Sequence, residues 1–195
     1  MKANRREVMR TLAATAAGAA ASSGWVERLR ALSFQHAHSQ AGASAIAAPD
    51  WKPRVLTPRQ NDLVVTLTEL IIPETDTPGA RAALVNRFVD DVLHEAEADV
   101  RDRFVKGLTW IDARSTNLFK KDFLSATADE RTSLLTQVSR EGSTEERTGR
   151  DFFRAIKAMT INGYYTTEIG LRRELGDPGQ LFLPQFEGCT HPEHQ

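Results

Sequence analysis

The chain has 195 residues, with 25 Lys and Arg against 26 Asp and Glu, a formal net charge of −1. That balance removes the electrostatic ground for expecting nucleic acid as a partner. With 41% hydrophobic residues the chain can build one domain with a real core, and no apolar run reaches the roughly 20 residues a membrane-spanning helix needs.

The chain opens MKANRREVMRTLAATAAGAAASSG. Arg5 and Arg6 form a twin-arginine pair, and an Ala-rich, weakly apolar stretch runs from Thr11 to Ala21. Pair, position and run together read as a Tat (twin-arginine translocation) signal, an address read by the Tat translocase that carries folded cargo to the periplasm. Small-x-small cleavage candidates lie at Ala19-Ala20-Ala21 and Ala41-Gly42-Ala43. The later one is preferred, which makes residues 1–43 the leader and 44–55 a linker. Six of the basic and two of the acidic residues fall in 1–43, leaving 19 and 24, a net charge of −5 for the exported body.

Thr57-Pro58-Arg59-Gln60 is a helix start: a capping threonine, a proline suited to the first helical position, and a glutamine that completes a capping box. Leu63, Val64, Leu67, Leu70 and Ile71 then share one face, and Pro73 stops the helix. Pro73 to Ala80 is a turn built from two prolines, a glycine and capping-type residues. Leu84, Val85, Phe88, Val89, Val92 and Leu93 mark the next helix, which ends at His94, where a positive side chain suits the dipole. A third helix spans about Ala98 to Leu118. Thr127 and Glu130 form a second capping box before Leu134, Leu135 and Val138. The polar stretch 141–149 reads as a loop. A helix then begins at Phe152 and is expected to break near Asn162-Gly163, and a short last one runs from Thr167 to Leu175, closed by Gly176.

No segment alternates convincingly with period two. The expected fold is all-α, an irregular bundle of five or six helices over residues 56–176. Residues 177–195 read as an extended C-terminal arm, with Leu181, Phe182, Leu183 and Phe186 spaced along a Pro- and Gly-rich stretch.

Several groups invite a chemical reading. Glu74 and Asp76 resemble a carboxylate pair, but their Thr and Pro neighbours favour turn duty. Trp110 with Tyr164 and Tyr165 could make a sugar platform, although such residues are more often core or subunit interface. The chain closes GCTHPEHQ, and Cys189 is its one cysteine. Cys189, His191 and His194 could ligate zinc, but structural zinc wants four ligands from separated pieces. A nucleophilic cysteine needs a base held on a rigid scaffold, and His191 is too near in sequence. An odd cysteine in an oxidising compartment points instead to pairing between chains. There is no GxGxxG, CxxCH or cysteine cluster, so no catalytic, metal or cofactor residue is assigned in this chain.

The twin-arginine leader, Leu56-Thr57-Pro58, IIPETDTPGA over 71–80, Asn162-Gly163-Tyr164-Tyr165-Thr166 with Gly170, and Gly188-Cys189-Thr190-His191 together resemble the gluconate 2-dehydrogenase subunit 3 family, the small subunits of sugar dehydrogenases. The resemblance covers residues 50 to 195, and IIPETDTPGA is its most specific part. It implies a non-catalytic small subunit bound to a large glucose-methanol-choline-type oxidoreductase subunit. That partner holds FAD, oxidises a sugar or sugar acid, and travels out on this chain's leader. The resemblance adds a cytochrome c subunit, with haem c, as electron acceptor, and a periplasmic complex at the inner membrane. Cys189 is then the candidate for a disulfide to the large subunit, with Leu181, Phe182, Leu183, Phe186, His191, His194, Tyr164 and Tyr165 as interface candidates. Two rivals remain: a maturation chaperone that leaves the flavoprotein after export, and an independent periplasmic hydrolase.

Overall fold

A computed structural model describes residues 24–40, 50–139 and 146–177. Among the described residues there is no strand, and six α-helices and one π-helical turn form an irregular all-α bundle. The helices are α1 (Gly24–Gln40), α2 (Pro58–Ile71), α3 (Val85–Glu95), α4 (Ala98–Phe119), α5 (Ala128–Ser139) and α6 (Arg147–Tyr164); the π turn is Ile169–Glu174.

Local chemistry sets the element ends as expected in two places. The Gln60 amide donates to the Thr57 hydroxyl and the Thr57 amide donates back to the Gln60 carboxamide at 2.9 Å, which starts α2. Thr127 and Glu130 repeat the arrangement at the head of α5, with the Thr127 amide 2.7 Å from the Glu130 carboxylate. That amide, with help from Lys121, holds the Glu130 carboxyl below its ordinary range.

Helix α6 is the axis of the bundle and packs against all five other α-helices. Its buried stripe is Phe152, Ala155, Ile156, Met159, Thr160, Gly163 and Tyr164. The buried Thr160 hydroxyl is satisfied within the helix, donating to the Ile156 carbonyl at 2.7 Å. Phe152 meets Phe104 of α4 with ring centroids 5.1 Å apart. It reaches that position because Gly107 has no side chain: a Cβ there would lie 2.4 Å from the ring.

Three expectations are corrected. Helix α6 starts at Arg147, inside the stretch read as a loop, because Gly149 lies under the Trp110 ring, where a Cβ would come to 2.2 Å. It runs through Asn162-Gly163 without a break; Gly163 makes room there for Phe88 of α3. The last segment is a π turn rather than an α-helix, held at its start by the Thr167 hydroxyl, which accepts from the Gly170 amide at 3.1 Å.

The packed body is also larger than residues 56–176. Helix α1 lies within the stretch read as leader, yet it packs on α3, α4 and α6. Trp25, Val26, Leu29 and Ala37 are buried in the common core. At about 1.5–3 kcal/mol for each large apolar side chain buried, Trp25, Val26 and Leu29 alone are comparable to the whole stability of a typical domain, about 5–15 kcal/mol. Arg28 adds surface ion pairs to Glu97 and Asp99 at the head of α4, which contribute little in water.

A buried carboxylate fixes the approach to α2. Asp90 on α3 is fully buried. Its Oδ1 accepts the amides of Val55 at 3.1 Å and Leu56 at 3.0 Å, and its Oδ2 accepts that of Arg54 at 2.6 Å. Three convergent N–H donors replace the water that the carboxylate loses on burial.

Candidate functional site

The turn after α2 is organised by a side chain that sequence inspection missed. Glu69, on the last turn of α2, accepts the Glu74 amide at 3.0 Å through Oε1 and the Arg81 amide at 2.8 Å through Oε2. The Ala80 amide closes the turn onto the Ile72 carbonyl at 2.9 Å. Gly79 is needed here for space, because a Cβ would sit 2.6 Å from both Glu69 Oε1 and the Glu74 nitrogen. Gly79→Ala is therefore expected to destabilise the protein by roughly 1–3 kcal/mol, the usual range for overpacking, measured by thermal unfolding. A melting temperature unchanged by the substitution would contradict this account of the turn.

The far end of α6 locks onto the same turn. The Tyr164 hydroxyl donates to the Pro78 carbonyl at 2.8 Å. Burial of the ring pushes that hydroxyl above its ordinary pKa. The Thr77 hydroxyl donates to the Glu174 carboxylate on the π turn. The π turn lies close beneath Tyr164, for a Cβ on Gly170 would approach the Tyr164 carbonyl oxygen to 2.3 Å. The two segments of chain that carry the family resemblance, 71–80 and 162–170, thus meet as one rigid corner. From the other side the Asn162 amide group donates to Ser33 of α1 at 2.8 Å. The described chain ends at Asp177, immediately beyond this corner.

The two carboxylates of the turn do not face each other across a cleft in any described contact. Glu74 and Asp76 are exposed, and Asp76 accepts from the Thr75 hydroxyl at 2.9 Å. Tyr164 is 1% exposed, so as an interface candidate it is corrected: its ring belongs to the core. Tyr165 is half-buried, edge-on to Tyr164 with centroids 5.2 Å apart, and keeps an open side. Trp110 shares no platform with them. It packs on Gly149, and Tyr164 lies roughly 22 Å further along α6 at 1.5 Å per residue.

Of the surface clefts among the described residues, two stand out by their lining. The larger, about 770 Å³, is lined by Trp25, Asp99, Asp102, Arg103, Lys106 and Arg147 among others. Two of its three carboxylates are engaged: Asp99 accepts from Arg28 at 2.8 Å, which holds its carboxyl below the ordinary range, and Asp151 lies 3.7 Å from Arg147. It reads as solvated charged surface. The second is a groove of about 440 Å³ between α1 and α6, floored by Ala31, Phe34, Ala158 and Ile161. Phe34 is 58% and Ile161 39% exposed.

Among the described residues no group of three His, Cys, Asp or Glu could hold a metal ion. His94 is exposed at the end of α3. Arg5 and Arg6 of the leader, and Leu181, Phe182, Leu183, Phe186, Cys189, His191 and His194 of the arm, lie outside the described residues. Of the residues missed, Asp90 left the clearest trace, a carboxylate among the apolar positions of α3. Glu69 looked like an ordinary surface glutamate.

A model of the family described as gluconate 2-dehydrogenase subunit 3 matches residues 58–176. The match runs from the first residue of α2 to the end of the corner, more than half of the chain. Comparison with curated proteins gave no match, and comparison with solved structures gave none.

Proposed function

We propose, because the chain belongs to the gluconate 2-dehydrogenase subunit 3 family, that it is the non-catalytic small subunit of a periplasmic, FAD-dependent sugar or sugar-acid dehydrogenase. The observation that carries this reading is the family match itself, which spans both segments of the corner. A subunit family implies companion subunits. The companion proposed here is a large glucose-methanol-choline-type flavoprotein that holds FAD and performs the oxidation, with a cytochrome c subunit taking the electrons. This chain supplies the twin-arginine leader through Arg5 and Arg6 and stabilises the exported flavoprotein.

The division of labour follows from what the chain carries. Its own sequence has no phosphate-binding glycine loop and no haem or iron–sulfur ligand set. What it carries is a helical body whose corner fixes the point from which the arm departs. In this reading the arm lies along the flavoprotein, with Leu181, Phe182, Leu183 and Phe186 against its surface, and Cys189 bonded to one of its cysteines. A covalent link of that kind acts by raising the effective concentration of the second chain.

The test is the purified chain expressed without companions. It is expected to show no flavin absorbance and to oxidise no sugar. Bound FAD, or sugar oxidation by the lone chain, would overturn the proposal.

A further inference from the structure

A leader that ended at residue 43 would take part of the folded body with it. Helix α1 is built into the bundle by more than contact. Trp25, Val26 and Leu29 fill the core between α3, α4 and α6. Ser33 is fully buried, accepting from Asn162 at 2.8 Å and donating to the Arg30 carbonyl at 2.9 Å. The His36 ring meets Phe88 of α3 edge-on at 5.3 Å, and its Nδ1 lies 3.2 Å from the Glu95 carboxylate. Arg28 neutralises Glu97 and Asp99, which would otherwise stand side by side at the head of α4. A cut after Ala43 would open the core, strand the Asn162 amide group at the corner, and remove one wall of the α1–α6 groove.

We propose that export processing falls at the earlier small-residue site, between Ala21 and Ser22, and that helix α1 stays with the mature subunit. This rests on the export reading of Arg5 and Arg6. Ala19-Ala20-Ala21 supplies the small side chains a signal peptidase accepts. One water hydrolyses the bond; Ala21 keeps the new carboxylate and Ser22 the new α-amine. The two serines left ahead of Gly24 are the only residues between the cut and the first residue of α1.

The experiment is intact mass and N-terminal sequencing of the chain recovered from the periplasm. The expected N-terminus is Ser22. Ala21→Asp is expected to block the shortening, while Ala43→Asp leaves it unchanged. An N-terminus at Ser44, or an exported chain that keeps Met1, would overturn the proposed cut. A second measurement judges the helix without export. Cytoplasmic versions starting at Ser22 and at Ser44 are compared with the full chain by thermal unfolding. The first is expected to melt like the full chain and the second to lose its cooperative transition. Identical melting of the two would overturn retention of α1 as a requirement of the fold. If the chain never leaves the cytoplasm, the export reading and the cut fail together, and the melting comparison still decides the role of the helix.

Discussion

Asp90→Ala is expected to cost about 3–5 kcal/mol, near the top of the range for single substitutions. The carboxylate is fully buried and receives three backbone N–H groups, from Arg54, Val55 and Leu56. A hydrogen bond to a charged group contributes about 1.5–3 kcal/mol, and a buried donor left unsatisfied costs about 1–3 kcal/mol. Part of the loss is recovered where the segment relaxes toward water, so the sum is not additive. For a chain of this length, about 2–4 °C of melting temperature follows each kcal/mol, which places the shift at roughly 6–20 °C. Asp91→Ala is the control. Among the described residues that neighbour accepts from the exposed Arg54 guanidinium, and a pair of that kind contributes less than about 1 kcal/mol. Equal melting temperatures for the two variants would show that the buried carboxylate does not hold the approach to α2.

The second large effect concerns location rather than stability. Exchanging both Arg5 and Arg6 for lysine is expected to strand this chain, and its flavoprotein companion, in the cytoplasm. The charge is kept, so a leader that worked through net charge alone would tolerate the change. The Tat route reads the arginine pair itself. Cells expressing both chains are fractionated, and periplasmic dehydrogenase activity is expected to fall to that of cells lacking this chain. Full periplasmic activity with two lysines would remove the twin-arginine reading and with it the carrier role.

How much of this was legible depended on whether the signal was local. The capping boxes at Thr57 and Thr127 use residues three apart, and both stand in the structure as read. The stop at Pro73 and the stripe of α3 are equally local. The start of α6 and its passage through Gly163 were not legible, because Gly149 and Gly163 look like punctuation in one dimension. Each is a close approach to an aromatic ring from another helix, Trp110 and Phe88. Helix α1 was hidden for a different reason. Its inward face mixes Trp25, Val26 and Leu29 with Ser33, His36 and Ala37, and it follows directly on a leader-like run. Glu69 could not be singled out, since its partners are the backbone amides of a turn that has first to form. The corner uniting residues 71–80 with 162–174 depends on Tyr164 reaching Pro78 across 86 residues, a separation no sequence pattern reports. The arm and Cys189 remain a sequence reading.

The central claim is that this chain works as one subunit of a flavoprotein complex, and one purification tests it most directly. The tagged full chain is recovered from the periplasm of cells that also express the proposed flavoprotein companion. The eluate is then run on denaturing gels with and without reductant. The expected result is a yellow eluate containing a second, larger chain. Without reductant that chain runs at the summed mass of the pair, and it separates both with reductant and in Cys189→Ser. A tagged chain that elutes alone and colourless, from cells whose periplasm holds active dehydrogenase, would contradict the account.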